Sequence, residues 1–573
     1  MSQDEDKSEV TEQSGQSRRQ FMATTGAVAG AAALGVSGTA EAARKRHPKR
    51  GGTLRFSTRS DSRGLDGHRN YYYYVSHPLA ATSMGMFDLD LKMNPKPGIA
   101  VEHTVSKDMK TYTFKIRKGA TFHDGSAIDA NSVKWNFDRI QNPKIGHSFT
   151  RSSIKDVNRV EVVDNFTIRC HLDNPSGVLI PSLTYYPVQF MSPNSEANAD
   201  NHPIGAGPFK FVSWKKYDKT IVERNENWWE TDDQGNALPY LDKIIGSPKK
   251  EDRVRLTALR TGEVDLIENM AYTDAVGFKK KYGDKFNTWD VPQVGTGYLG
   301  FNLKSGPFSY SNGAKGKMMR QAAAHAINHE AIHQAVFSGL SQKARGFYSK
   351  ASPWFMPELE RKYEYDPDKA RFLLKKSGGM DEKLVLTSRD AYAYMHQTGE
   401  ISHAMLTEAG FNISHEIHPY AVLKSKWKKG EYSIDSTANS YRPDPDRWFS
   451  ANVISTSSNT KLRTGFNSPK ADKLIIEAKA TLEMSKRKEL YQAVEEIINE
   501  ELPMIYTHFI PLTSAASQNL FKLLLRIFQN SVLHSSHKLG TDKRSKSSRS
   551  TSVLKNERFS QQKWFCNLAL RGL

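Results

Sequence analysis

Cysteine is nearly absent from this chain of 573 residues, with only Cys170 and Cys566 present. Two thiols so far apart give no disulfide framework and no metal-ligand spacing, so one bridge is the most they could form. Strongly apolar runs are missing as well. The stretch 23–36 is built mainly from Ala, Gly and Thr and falls short of the roughly 20 apolar residues that a membrane-spanning helix needs. No G-x-S-x-G elbow occurs and no base is paired with Cys170, so the signals for acyl-transfer chemistry are lacking. Acidic residues are in deficit, 62 against 81 Lys and Arg, giving a net charge of +19. Such a balance raises nucleic acid or anionic membrane as partners, but its distribution argues against them. Residues 521–573 carry eleven basic residues against Asp542 and Glu557 and so supply +9 of the excess. The remainder is spread without a basic stripe, as on a solvated surface, and nucleic acid is not expected as a partner.

What is present describes an ordinary globular protein, 38% hydrophobic, 10% aromatic and 25% charged. Its length is enough for two to four domains. At the start, Ser17-Arg18-Arg19-Gln20-Phe21-Met22 precedes the weakly apolar run, and Ala40-Glu41-Ala42 follows as an A-x-A cleavage site. That layout is a secretory signal, and the arginine pair resembles the twin-arginine type. The expectation is a signal peptide over 1–42, a mature start near Ala43, and export to the periplasm after folding in the cytoplasm. The absence of a cysteine near the cut excludes a lipid anchor there.

The stretch 111–140 carries the clearest pattern. Tyr112, Phe114 and Ile116 alternate with Thr113, Lys115 and Arg117, which predicts a half-buried strand. Lys118-Gly119 breaks it, Thr121-Phe122-His123-Asp124-Gly125 runs into a turn, and Asp129 opens a helix with Val133, Phe137 and Ile140 at helical spacing. This succession of a strand, "RKG", "FHDG" and a helix with "VKWNFDR" resembles family 5 of the extracellular solute-binding proteins, the dipeptide and oligopeptide receptors of ABC importers. Further similarities fall in the family's order: Gly51-Gly52-Thr53-Leu54, the stretch 203–211, Trp228-Trp229, Thr261-Gly262-Glu263-Val264-Asp265, a long helix from Met318, and Asp366-Pro367 opening another. The resemblance covers roughly residues 51–513.

That resemblance implies an α/β fold, a two-lobed, type II-like periplasmic binding protein closing as a clamshell, with an extra subdomain in the first lobe. The first lobe would span 43–290 with an insertion at about 80–200, the second 291–500, and the return to the first 501–520. Residues 521–573 form an atypical basic tail whose composition predicts disorder. The function implied is capture of a peptide or peptide-like solute and delivery to an inner-membrane ABC permease, by a monomer that needs no cofactor and is not an enzyme.

Three motifs suggest other roles. His329-Glu330-Ala331-Ile332-His333 matches H-E-x-x-H, and His325 one turn earlier extends the row. The alternative function is therefore a secreted zinc metallohydrolase using His329, Glu330 and His333. It lacks a third protein ligand, and Ala326, Ile327, Ala331, Ile332, Val336 and Phe337 give the segment an ordinary apolar face. Gly295-Thr296-Gly297-Tyr298-Leu299-Gly300 matches G-x-G-x-x-G, but a dinucleotide site needs a helix to follow, and Gly306-Pro307 precludes one. Tyr71 to Tyr74 could stack on a ligand, although burial is the expected role.

Recognition residues come from the resemblance. In its peptide-binding members an Asp just before a "DP" motif receives the ligand's amino group and an upstream Arg holds its carboxylate. Here Ser440-Tyr441-Arg442-Pro443-Asp444-Pro445-Asp446 matches, and Tyr441 stands where that Asp would be. Arg389 lies near the expected carboxylate contact, where a planar guanidinium suits two oxygens at once. The candidate ligand contacts are Arg389, Tyr441, Arg442, Asp444 and Asp446. Loss of the amine-binding Asp leaves opines, other anionic solutes and sugars open beside peptides.

Overall fold

The computed structural model describes residues 50–70, 76–90, 94–232, 235–360, 362–518 and 520. The expected signal peptide, the tyrosine run 71–74 and the tail with Cys566 lie outside them.

One eleven-stranded sheet runs through the molecule. At one end, Leu384–Arg389 lies between Ile413–His418 and Ile434–Ser440, parallel to both. At the other, Thr53–Thr58 lies between Lys243–Pro248 and Leu266–Glu268, again parallel to both, and antiparallel Lys219–Arg224 and Phe209–Lys215 extend that edge. Two long antiparallel strands join the ends. Phe286–Phe301 has 16 residues and Met504–Ser517 has 14, against the usual five or six. Each strand is therefore part of both ends, and the chain crosses between them there. A short strand, Gln342–Lys343, pairs with the second of these.

The stretch 111–140 builds a separate layer. Strand Thr111–Ile116 buries Tyr112, Phe114 and Ile116 to 2% exposure or less. It sits inside a four-stranded antiparallel sheet with Ala100–Val105, Thr167–Leu172 and Val157–Asp164. Helix Ala130–Gln141 is opened by a capping box: Asp129 accepts from the Ser132 amide and Ser132 Oγ from the Asp129 amide. These two bonds satisfy donors that the first turn leaves without intrahelical partners. Val133, Phe137 and Ile140 face the sheet with no exposure. Cys170 lies in this core as a free thiol whose pKa burial pushes up.

A second core, which includes Tyr298, Phe301, Trp448, Tyr491 and Phe509, packs around the other end of the long sheet. Here one expectation is corrected. In place of a single long helix from Met318 there are two, Gly313–Ala326 and His329–Phe337. Ile327 turns extended, and Asn328 caps the second helix by accepting from the amides of Glu330 and Ala331, both at 3.0 Å. Asn gains more from capping than from a helix interior, so the row from His325 to His333 is broken.

Glu495, 1% exposed, sits in this core. Its Oε1 accepts from the Phe347 amide at 3.0 Å and from the Tyr506 hydroxyl at 3.4 Å, while Oε2 has no partner. Burial pushes its pKa up to about 8. The folded state thus retains a proton that the unfolded chain, near the ordinary 4.5, releases at lower pH. This contribution to stability is present in full at pH 4 and is lost as pH rises toward 8. Glu495→Gln should remove that slope, leaving the variant more stable than the parent at pH 9 by an amount on the order of a few kcal/mol. Denaturant titrations at pH 5 and pH 9 measure it.

Candidate ligand-binding site

In open α/β sheets ligands settle outside the carboxyl ends of parallel strands. This molecule has two such sets of ends. Arg59 follows Thr53–Thr58 on one side, while Arg389, Tyr420 and Tyr441 lie at or just after the ends of the three parallel strands on the other. The two sets face each other, since the Arg59 guanidinium lies 5.9 Å from the centre of the Tyr392 ring. An aromatic wall runs between them: Tyr392 stacks on Tyr394 at 5.6 Å, Phe337 lies 4.3 Å from His508, and Tyr272 lies 5.0 Å from Phe337. The Tyr272 hydroxyl donates to the Pro511 carbonyl at 3.1 Å and is pushed up by burial.

Arg389 ends its strand with the guanidinium 4.9 Å from the centre of the Tyr420 ring, and its buried Nε has no hydrogen-bond partner. Arg442 stacks on Phe149 at 5.1 Å. Among the described residues no carboxylate forms an ion pair with Arg59, Arg389 or Arg442. These are cations resting on ring faces, an arrangement that favours an incoming anion. Tyr441 shares a hydrogen bond of 3.2 Å with Ser352 Oγ and meets Tyr348 edge-on, and burial pushes its hydroxyl up.

Asp444 and Asp446, grouped with these residues in the sequence reading, are placed differently. Asp444 is 4% exposed and takes both arms of Arg487, at 2.8 and 2.6 Å, besides accepting from the Asp446 amide. Burial works to lower the Arg487 pKa, but the Asp444 carboxylate outweighs it and the net shift is upward. Asp446 accepts from Ser450 Oγ at 2.6 Å, and burial raises its pKa. The Asp444 carboxylate thus ties the loop 441–445 to Arg487, while that of Asp446 stays within its own helix. Trp354 Nε1 and the Tyr348 hydroxyl donate to its carbonyls at Pro443 and Arg442.

Residues the sequence reading passed over also meet here. Arg447 reaches the segment 149–185, donating to the hydroxyls of Ser152 and Ser153 and to the Phe149 carbonyl, with Tyr185 4.5 Å beneath its guanidinium. Burial, with Arg442 nearby, holds its pKa down at about 10. Arg59 could have been found from its place just after the Gly51-Gly52-Thr53-Leu54 stretch; Arg447, Phe149 and Tyr185 gave no such signal.

The H-E-x-x-H residues have other partners. His329 Nε2 is bonded to the Tyr506 carbonyl at 3.1 Å, His333 Nδ1 to Ser341 Oγ at 2.9 Å, and Glu330 pairs with Lys343 at 3.1 Å. Among the described residues no group of three or more His, Cys, Asp or Glu could hold a metal ion.

The buried pair yields a stability test. Asp444→Asn leaves Arg487 uncompensated in an apolar setting and should cost about 3–5 kcal/mol. The double variant Asp444→Asn with Arg487→Met should recover part of that loss in a denaturant titration.

Comparison with known proteins gives a consistent picture. The family described as bacterial extracellular solute-binding proteins, family 5, matches residues 94–461. Glutathione-binding protein GsiB of Pectobacterium atrosepticum is 27% identical over 457 residues, covering 76% of this chain and 84% of the relative. Among solved structures, the periplasmic binding protein DppA of Helicobacter pylori, in complex with the peptide STSA, superposes with a TM-score of 0.69 at 22% identity, covering 82% of this chain and 94% of that one. AgaA from A. tumefaciens R10, in complex with agropinic acid, gives 0.68 at 23% identity, with shares of 82% and 94%. The two structural likenesses bear on the fold, a two-lobed one with a large sheet, and the family match spans well over half of the sequence: the chain belongs to family 5 of the bacterial extracellular solute-binding proteins.

Proposed function

We propose that this protein is the periplasmic substrate-binding component of an ABC importer, and that it captures a small solute carrying at least one carboxylate. The observation that carries the choice of solute is Arg389, a guanidinium at the carboxyl end of a parallel strand with a buried Nε still unpartnered. A carboxylate accepting two parallel N–H bonds fits that side chain, and Arg442 offers a second contact for an anion. Tyr441 and Tyr392 present rings on which a peptide-like backbone can stack. Asp444 acts from below, holding the loop that carries Tyr441 and Arg442 through its pair with Arg487. The likeness to proteins that bind glutathione, a peptide and agropinic acid supports the same choice, because each of those solutes bears a carboxylate.

The function is mechanical: the solute bridges the two sheet ends, favours the conformation in which they lie closest, and leaves unmodified through an inner-membrane permease. In this reading no bond is broken, no cofactor is required, and the working unit is a monomer. Residues 1–42 act as a twin-arginine signal, supported by Arg18-Arg19 ahead of the run 23–36.

Isothermal titration with glutathione, short peptides and an opine tests the solute class. Arg389→Ala should weaken any solute that binds by at least about 2 kcal/mol, roughly 30-fold in Kd, and amidating the solute's carboxylate should weaken it comparably. Unchanged affinity after both modifications rejects Arg389 as the carboxylate contact. Replacing Arg18 and Arg19 together by lysine should leave the precursor in the cytoplasm, read by fractionation.

A further inference from the structure

The ladder between the two crossover strands has one large irregularity. Val291 pairs with Leu512 and Gly295 with Ile510, so three residues, Pro292, Gln293 and Val294, stand opposite Pro511 alone. Neither proline has an N–H to give the ladder, and extra residues in one strand loosen it and bend it. This is where the sheet between the two ends is least constrained by its own backbone.

The side chain of Gln293, 2% exposed, makes up for the missing ladder bonds. Its Nε2 donates to Thr296 Oγ1 at 2.8 Å and to the Phe347 carbonyl at 2.7 Å, and its Oε1 accepts from the Ser349 amide at 2.9 Å. The hydroxyl of Thr296 donates to the same Phe347 carbonyl at 2.8 Å. Phe347 in turn stacks on Trp448 at 4.1 Å, the residue that follows the loop and Arg447. The neighbour of Gln293 completes the circuit: the Val294 carbonyl accepts from the Tyr441 amide at 2.8 Å. The irregularity is thus tied directly to the first residue of the ligand-facing loop, and through Phe347 and Trp448 to the loop's far end.

We infer that Gln293 is a positioning residue that fixes the crossover irregularity to the loop 441–445, so that a change in the bend between the sheet ends moves Tyr441 and Arg442. This inference rests on the proposed function for its purpose, but the mechanical coupling stands on the contacts alone. Gln293 itself touches no solute.

Hydrogen exchange followed by mass spectrometry or NMR on the full mature chain tests it without any ligand. Gln293→Met keeps the length and apolar contacts of the side chain and removes every hydrogen bond. The Tyr441 amide should then exchange about tenfold faster or more, while the amide of Leu386 in the neighbouring strand keeps its protection. Gln293→Glu, which retains the acceptor for Ser349, should fall between the two. If the Met variant does not fold, Thr296→Val removes a single hydroxyl from the same circuit and should still accelerate Tyr441. Unchanged exchange at Tyr441, or equal acceleration of Tyr441 and Leu386, overturns the inference, the latter showing that Gln293 merely stabilises the fold. Titration of the parent with glutathione is read separately, so failure of the functional reading is distinguishable from failure of the coupling.

Discussion

Everything in this molecule is constrained by two strands shared between the core around Tyr298 and Trp448 and a smaller cluster formed by Leu259, Ile267, Phe278 and Ala515. Tyr298, Phe301, Tyr506 and Phe509 lie in the core at one end of the long sheet, while Ala515, further along the same path, is buried in the cluster at the other. Relative motion of the ends cannot break these strands without exposing that core and that cluster, so it has to be absorbed within them. A ladder resists bending wherever each residue has its partner, and it yields where prolines have removed the donors. The surrounding side chains then decide what the bend does.

The electrostatics of the facing ends follow from the same arrangement. Arginines at strand ends rest on tyrosine and phenylalanine rings, which cover the apolar faces of the guanidinium planes, and among the described residues no carboxylate pairs with them. A unit charge about 4 Å from another gains about 1 kcal/mol in water but about 4 kcal/mol near a protein surface. Under the proposed function, closure around an anion would therefore strengthen the attraction that causes it. A paired acid at this place would cancel that gain; Asp444, in the loop with Arg442, is instead engaged by Arg487, and Asp61, two residues from Arg59, accepts from Trp214.

The alternation at Tyr112, Phe114 and Ile116 and the cap at Asp129 were legible because strand and helix periods are local properties. The resemblance supplied the order of elements and the region of the loop 441–445. What stayed hidden depends on distant partners. The role of Asp444 is set by Arg487, 43 residues away, and no spacing rule connects them. The break at Asn328 was obscured by a continuous apolar pattern on both sides of it. Arg447 reads as a surface residue until Phe149 and Tyr185 arrive from about 300 and 260 positions earlier in the chain. The irregularity at Gln293 appears in the sequence only as Pro292 and Pro511, more than two hundred positions apart.

Cys170 carries a consequence for life outside the cytoplasm. A thiol reacts as its thiolate, and this one lies without solvent exposure in the middle strand pair of the four-stranded sheet, its ionisation suppressed by burial. Once that sheet has formed, oxidants and stray disulfides of an extracytoplasmic space find no reactive thiolate at Cys170. The Cys170 sulfhydryl then poses no hazard of cross-linking, provided the strands have closed around it before it meets an oxidising environment.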